Sequence, residues 1–378
     1  MQKHILLMLI VLLLAGCDRA GTDPSVKTSD GKIVGGDMIF DIKSRSRLLD
    51  NSGNSYVDKG HYSMLVQAKD KDGMPLAIFN GLEYSMFEND SKTALEESRV
   101  IINQDPRSTK NQILLLLDFS GSVISECADV YSGGDNADNL CYQLVESVKL
   151  FIDSSVNESQ TMAIYYFNSK TTITPLVTSN TASTTDNILQ LKQGIEQLYD
   201  APFRENNLNG YDSTNLYGAV IEASKVACHW IGNCNYDIYT PQIQANRENF
   251  DFASIVVFTD GRDLANRVSE QSMLNFIDKH KANYYYTIGL GDVDKDVLEK
   301  IGKDKYIPVD KNGDLNHAFE ELGSELTAWG HSFYKIDYCP ASQEGTVDIL
   351  IKIHDDSYKG EIEDRITLPE NIDFRCDL

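Results

Sequence analysis

The stretch Ile113–Val123, ILLLLDFSGSV, decides the fold class of this 378-residue chain. The four leucines that precede the aspartate predict a strand buried on both faces, which is typical of the centre of a parallel sheet. The strand ends at Asp118, and Ser120 and Ser122 follow at alternate positions in a turn that also holds a glycine. A buried strand that ends in three small oxygen-bearing side chains indicates a ligand site at the sheet edge.

Strands alternate with helical patterns from residue 111 to residue 330. This alternation predicts an α/β fold with a doubly wound, mostly parallel sheet that helices cover on both faces. After the leucine strand, the predicted strands are Met162–Phe167, Thr171–Val177, Ile255–Phe258, Tyr284–Leu290 and Tyr306–Val309. Ligands of such sheets bind at the carboxyl ends of the strands, so we expect the functional residues there.

Three polar segments are predicted to meet at this edge. The first holds Asp118, Ser120 and Ser122. Thr214 lies in a loop where a helix begins, and Asp260 directly follows a later buried strand. Two carboxylates and three hydroxyls are hard oxygen donors, which suit Mg²⁺ or Mn²⁺.

These five residues resemble the metal-ion-dependent adhesion site of von Willebrand factor type A (VWA) domains, in which D-x-S-x-S is followed by a threonine and then an aspartate. The stretches TNLYGAV from Thr214, VVFTDGRD around Asp260 and YYYTIGLGD near the fifth strand extend the resemblance over residues 112–330. The resemblance implies a VWA-like fold. It also implies a cation that completes a binding site, with one position open to a carboxylate of a protein or other macromolecule.

Other interpretations of the motif remain open. Ser120 and Ser122 are also suitable as turn or helix-cap residues. A hydrolase that uses the cation as a Lewis acid is a second alternative, and a structural spacer is a third. No GxSxG motif occurs, and none of the seven histidines adjoins a recognised acid–base motif, so we predict a binding protein and not an enzyme.

The first residues predict export. A positive start, MQKH, precedes the short apolar run ILLMLIVLLLAG, which is typical of a signal peptide. LLAGC resembles the bacterial lipobox, which implies a signal peptide over residues 1–16, a lipidated Cys17 and a tether over residues 17–59. An ordinary secretory signal with an incidental cysteine is the alternative. Asp18 resembles a retention signal of some proteobacterial lipoproteins, which favours the inner membrane facing the periplasm over the outer membrane.

Cysteine usage agrees with an oxidising compartment. The chain has seven cysteines, and an even number remains beyond Cys17. The simplest scheme pairs neighbours in sequence: Cys127 with Cys141, Cys228 with Cys234, and Cys339 with Cys376. A zinc site is the alternative, although no CxxC pair occurs.

The flanks read as a separate β-rich unit. Apolar residues alternate near Met64 in residues 60–110 and near Ile351 in residues 331–378. Because neither flank holds enough strands for its own core, the two together predict one β-sandwich with the α/β domain, residues 111–330, inserted between its halves. Two unrelated small β-units are the alternative.

The formal net charge of −23 bears on the class of partner. Phosphate backbones would be repelled, so nucleic acid is not expected to bind. We expect an envelope protein that touches the membrane through its lipid anchor only.

Overall fold

The computed structural model describes residues 26–27, 33–35, 38–45, 48–49, 55–56, 62–71, 73, 75–76, 83–89, 91–92, 100–103, 109–127, 139–157, 159–177, 185–200, 203–204, 213–231, 250–280, 283–311, 313–338, 345–354 and 359–368. The predicted signal peptide, Cys17 and most of the predicted tether lie outside these residues. Among the helices of the described part, none is long and apolar enough to cross a bilayer.

The strands are numbered in chain order. They are β1 (Val26–Lys27), β2 (Ile33–Gly35), β3 (Met38–Arg45), β4 (Leu48–Leu49), β5 (Ser55–Tyr56), β6 (Tyr62–Asp70), β7 (Glu83–Glu88), β8 (Ser91–Lys92), β9 (Val100–Asn103), β10 (Thr109–Asp118), β11 (Gln160–Phe167), β12 (Thr174–Val177), β13 (Phe250–Thr259), β14 (Asn283–Leu290), β15 (Lys305–Val309), β16 (Phe333–Tyr338), β17 (Gly345–His354) and β18 (Lys359–Leu368).

The α-helices are also numbered in chain order. They are α1 (Gly121–Glu126), α2 (Leu140–Ser155), α3 (Ile188–Glu196), α4 (Leu216–Trp230), α5 (Glu270–Lys279), α6 (Lys295–Ile301) and α7 (Leu315–Gly330). A single 3-10 turn, Gln197–Tyr199, extends α3.

The central sheet has six strands in the order β12-β11-β10-β13-β14-β15. Only β12, at one edge, runs antiparallel to its neighbour. The leucine strand β10 lies inside the sheet, between β11 and β13. The predicted doubly wound, mostly parallel α/β sheet is therefore confirmed.

The run of four leucines serves two cores at once. Successive side chains of a strand point to opposite faces. Leu115 packs in the core that α2, α3 and α7 cover, which also contains Phe319. Leu114 packs in the core on the other face, which α4, α5 and α6 cover and which contains Val220. All four leucines are fully buried, and each contributes about 1.5–3 kcal/mol by leaving water.

The flanks form the predicted β-sandwich around a core of their own. One sheet has the order β1-β2-β3-β6-β16-β9, and the other β18-β17-β7-β8. Both contribute to one apolar cluster, which includes Val66 and Tyr334 from the first sheet and Met86 and Ile351 from the second. Strands from before and after the α/β domain thus share each sheet.

The assignment of residues 17–59 to a tether is wrong for Met38–Arg45, which forms β3 and pairs with β6. Met38 and Phe40 lie in the sandwich core. The physical reason is that the first sheet uses this strand to satisfy the backbone groups of β6 on the side away from β16. The short apolar alternation in MIFDI was the available signal.

The two domains join at the amino edge of the central sheet. Strand β16 follows α7 after a short turn, and Ser332 in that turn accepts a hydrogen bond from Ala68 N at 2.9 Å. The Ser332 hydroxyl accepts a second one from Gln67 Nε2 at 3.1 Å. The rings of Phe252, at the start of β13, and Phe333 lie 5.0 Å apart. The carboxyl edge, where the ligand site was predicted, is therefore the opposite edge.

One predicted disulfide lies within the described residues. Cys127, at the end of α1, is bonded to Cys141, in the first turn of α2. Cys228 is also disulfide-bonded. Its predicted partner Cys234 lies outside the described residues, as do Cys339 and Cys376.

Candidate metal centre

The end of β10 places a buried carboxylate beside two hydroxyls. Asp118 is fully buried, and its Oδ1 accepts a hydrogen bond from Ser120 N at 2.8 Å. The hydroxyls of Ser120 and Ser122 lie 3.2 Å apart. The D-x-S-x-S segment therefore gathers its oxygen atoms on one side of a tight turn, as the sequence predicts.

The second carboxylate joins this group from a neighbouring strand. The Ser122 hydroxyl donates to Asp260 Oδ1 at 2.9 Å, across 138 residues of sequence. Asp260 directly follows β13, which pairs in parallel with β10. The carboxyl ends of these two strands thus meet, because parallel neighbours end at the same edge.

Thr214 reaches the same edge from the loop before α4. Thr214 is almost completely buried. Its hydroxyl lies beside Gly261, the residue after Asp260: a Cβ atom added to this glycine would be 3.6 Å from Thr214 Oγ1. The next residue, Asn215, donates its backbone N–H to Asn168 O, just beyond β11. All five predicted residues are therefore brought to one edge of the sheet.

Helix capping separates the two helices of the site from the rest. In the described chain, α2, α3, α5, α6 and α7 each begin with a side chain that accepts a backbone N–H of the first turn. The N-cap residues Ser120 of α1 and Asn215 of α4 make no such bond. Ser120 therefore occupies the N-cap position of α1, but its hydroxyl contacts the Ser122 hydroxyl and accepts no backbone N–H of the helix.

A residue that the motif does not include supports Asp118. Thr259, fully buried at the end of β13, donates its hydroxyl to Asp118 Oδ2 at 2.6 Å. The same hydroxyl accepts the N–H of Gly261 at 3.1 Å. Thr259 thus links the Asp118 strand to the turn that carries Asp260. Its place directly before Asp260 was the signal available in the sequence.

The electrostatics of the site favour a cation. The pKa of Asp118 is raised from 3.8 to about 7: burial is the largest cause, the charge of Asp260 also raises it, and hydrogen bonds from Thr259 and Ser120 offset part of the rise. An adjacent cation would stabilise the charged carboxylate. The donor set, hydroxyl and carboxylate oxygen without sulfur or imidazole, fits Mg²⁺ or Mn²⁺.

The candidate site differs from a zinc centre in its donors. In the part of the chain that the structure describes, no three or more histidine, cysteine, aspartate and glutamate side chains are grouped so that they could hold a metal ion. A metal at the carboxyl edge would therefore depend on the serine and threonine hydroxyls as well as on the two carboxylates.

The loop after β13 forms an exposed rim beside the site. Leu264 is 64% exposed, although its backbone N–H is bonded to Thr214 O. Arg262 lies 3.7 Å from Asp292, and both side chains are exposed. An incoming molecule would meet the apolar side chain of Leu264 and the positively charged side chain of Arg262 in the loop after Asp260.

Comparisons with known proteins identify similar solved structures. A von Willebrand factor type A protein from Catenulispora acidiphila is 10% identical with a TM-score of 0.44, covering 92% of this chain and 77% of that one. Proximal thread matrix protein 1 of the mussel byssus, described with a zinc-occupied MIDAS motif, is 13% identical with a TM-score of 0.38, covering 62% and 49%. The ArnB paralog VWA2 from Sulfolobus acidocaldarius is 11% identical with a TM-score of 0.37, covering 88% and 74%.

No family model matches the chain, and no curated protein matches it. At identities of 10–13%, the likeness to solved structures says nothing of what the present chain binds.

Proposed function

We propose that this chain is a cell-envelope protein that binds a macromolecular partner through a divalent cation at the carboxyl edge of its α/β sheet. The observation that carries the proposal is the chain of contacts from Asp118 through Ser120 and Ser122 to Asp260. Thr214 completes the set from a third segment. These are the five residues that resemble a metal-ion-dependent adhesion site.

The chemistry of the donors favours binding over catalysis. Mg²⁺ or Mn²⁺ would supply a positive charge, and a carboxylate of the partner could bind to the cation. Because three of the five side chains are neutral hydroxyls, they would offset little of that charge. The partner is therefore expected to be a protein or another macromolecule that presents a carboxylate.

Each residue of the site has a distinct place in this proposal. Ser120, Ser122 and Thr214 would contribute neutral oxygens, and Asp118 and Asp260 would contribute the two negative charges. Thr259 keeps Asp118 in place by its hydrogen bond. Leu264, exposed on the rim, would offer apolar surface to the partner next to the cation.

The envelope location rests on the sequence and on the disulfides. LLAGC, with Cys17, supports a lipid anchor, and the inner membrane facing the periplasm is favoured by Asp18. The bond between Cys127 and Cys141 is typical of proteins outside the reducing cytoplasm. Cys17→Ser should release the protein from the membrane fraction, and a wild type that fractionates as soluble would contradict the anchor.

The net charge of the chain predicts how partner binding should depend on salt. A chain of charge −23 repels an acidic partner at long range, so the attraction must be local and carried by the cation. Raising salt should therefore weaken binding little or strengthen it, because screening also reduces the repulsion.

The test is capture of partners from envelope extract on immobilised protein, with Mg²⁺ or with EDTA, at low and high salt. Capture should require Mg²⁺, should survive high salt, and should be lost in Asp118→Ala. Asp278→Ala, which removes the same charge from an exposed position on α5, is the matched control and should capture normally. Capture that persists in EDTA and in Asp118→Ala would show that the cation is not the recognition element.

A further inference from the structure

The start of α4 lacks a cap from its own N-cap residue. Asn215 occupies the N-cap position, but its side chain makes no capping bond and instead donates Nδ2 to Lys170 O at 2.8 Å. The first N–H groups of a helix have no partner within the helix. Another group must therefore accept them where the helix start is buried, as it is here, with Asn215 and Leu216 almost inaccessible.

Asp263, from the loop after β13, provides that acceptor. Its Oδ1 accepts the N–H of Tyr217, in the first turn of α4, at 3.2 Å. Its Oδ2 accepts Asn266 N, in its own loop, at 3.1 Å. Both oxygens of Asp263 thus accept backbone N–H groups, one from the start of α4 and one from its own loop.

The same loop also holds the Thr214 backbone from the other side. Thr214 O accepts two backbone hydrogen bonds, from Leu264 N and Ala265 N, each 3.0 Å long. The segment that starts at Asp260 is therefore bonded to the Thr214 segment at two places, at Thr214 O and in the first turn of α4.

We propose that Asp263 is a positioning residue of the metal site, which holds the Thr214 hydroxyl in register with Asp260 by capping α4 from the opposite loop. This inference rests on the proposed function, because it assumes that Thr214 and Asp260 share one cation. The negative charge of Asp263 at the N-terminus of α4 also stabilises the helix.

The simplest competing explanation is a cap that stabilises α4 and nothing more. The two explanations differ in what they predict for cation affinity. A positioning residue acts through Thr214, so its loss should have little effect once the Thr214 hydroxyl is gone. A cap without a role in the site should leave cation affinity unchanged.

The experiment is calorimetric titration of the full chain with Mg²⁺ alone, for the wild type, Asp263→Ala, Thr214→Ala and the double variant. We expect each single variant to lower affinity about tenfold, in the range of coupling between contacting groups. The double variant should be no weaker than Thr214→Ala. Asp263→Asn, which retains one acceptor oxygen, should be intermediate and is used if Asp263→Ala does not fold.

Asp294→Ala is the matched control, because Asp294 caps α6 through Val297 N and is not part of the site. Its Mg²⁺ affinity should equal that of the wild type. Unchanged affinity in Asp263→Ala and Asp263→Asn would overturn the inference, and so would an equal loss in Asp294→Ala or losses that multiply in the double variant. A wild type that binds no Mg²⁺ would instead overturn the proposed function itself.

Discussion

The two edges of the central sheet differ in the side chains that they bury, although the same strands connect them. At the amino edge, aromatic rings pack at the junction with the sandwich. The ring centroids of Tyr284 and Trp329 lie 4.4 Å apart, and those of Phe252 and Phe333 lie 5.0 Å apart. At the carboxyl edge, the fully buried Asp118 faces hydroxyls and a second carboxylate.

The difference shows which edge stabilises the fold and which edge carries an unfavourable burial of charge. Burial of large apolar side chains at the amino edge favours the folded state directly. Burial of Asp118 does the reverse unless a cation compensates its charge, as the raised pKa shows. The strands are therefore anchored at one edge and hold an electrostatically costly site at the other.

The largest expected effect separates the edges by stability. Phe252→Ala should lower the free energy of unfolding by about 3–5 kcal/mol, because it removes a buried aromatic ring at the sandwich junction. The measurement is urea denaturation without metal. Asp118→Asn, at the other edge, should cost little stability or increase it. Equal losses in both variants would contradict the proposed contrast.

The next effect concerns the covalent link beside the site. Replacing Cys127 and Cys141 together by serine should cost about 3 kcal/mol in the chain-entropy model, since the bond joins residues 14 apart in sequence. Urea denaturation of the oxidised wild type and the double variant measures it. A wild type whose stability does not respond to a reductant would count against this expectation.

Addition of Mg²⁺ should offset part of the stability that the buried Asp118 costs at the carboxyl edge. At a free Mg²⁺ concentration one hundred times the Kd, the wild type should gain about 2.7 kcal/mol of stability by mass action. Asp118→Ala should gain nothing, whereas Phe252→Ala, if folded, should gain as much as the wild type. Thermal denaturation with and without Mg²⁺ tests this, and a gain in Asp118→Ala would place the cation elsewhere.

The smallest effect is the pH dependence of the metal-free protein. Because the pKa of Asp118 rises from 3.8 to about 7 on folding, the folded state holds a proton that the unfolded state releases. The corresponding stability is present below pH 3.8 and is lost as the pH rises to 7. Between pH 5 and pH 7, the wild type should therefore lose stability relative to Asp118→Asn.

Comparing these two proteins cancels the titration of other groups. With saturating Mg²⁺ the slope should disappear, because the cation competes with the proton for Asp118 and keeps the carboxylate ionised over this pH range. Parallel stability curves for the wild type and Asp118→Asn from pH 5 to pH 8 would show that Asp118 titrates as it does in water.

Much of the fold and the site could be predicted because the signals are local. The run Leu114–Leu117 predicts a doubly buried strand, and such burial requires a sheet with helices on both faces. Asp118, Ser120 and Ser122 lie in one turn, so their convergence follows from the backbone. Thr214 and Asp260 follow from the rule that parallel strands present their carboxyl ends at one edge.

The sequence by itself thus determined the α/β sheet, the edge where the candidate site lies and the five oxygen-bearing side chains that reach this edge. Only the tertiary structure decided that Met38–Arg45 joins the sandwich, that Thr259 holds Asp118 and that Asp263 caps α4. Each of these depends on a hydrogen-bond partner far away in sequence, 141 residues for Thr259 and 46 for Asp263. A backbone N–H can donate to many acceptors and a carboxylate can accept from many donors, so packing of the whole chain selects the pair that forms.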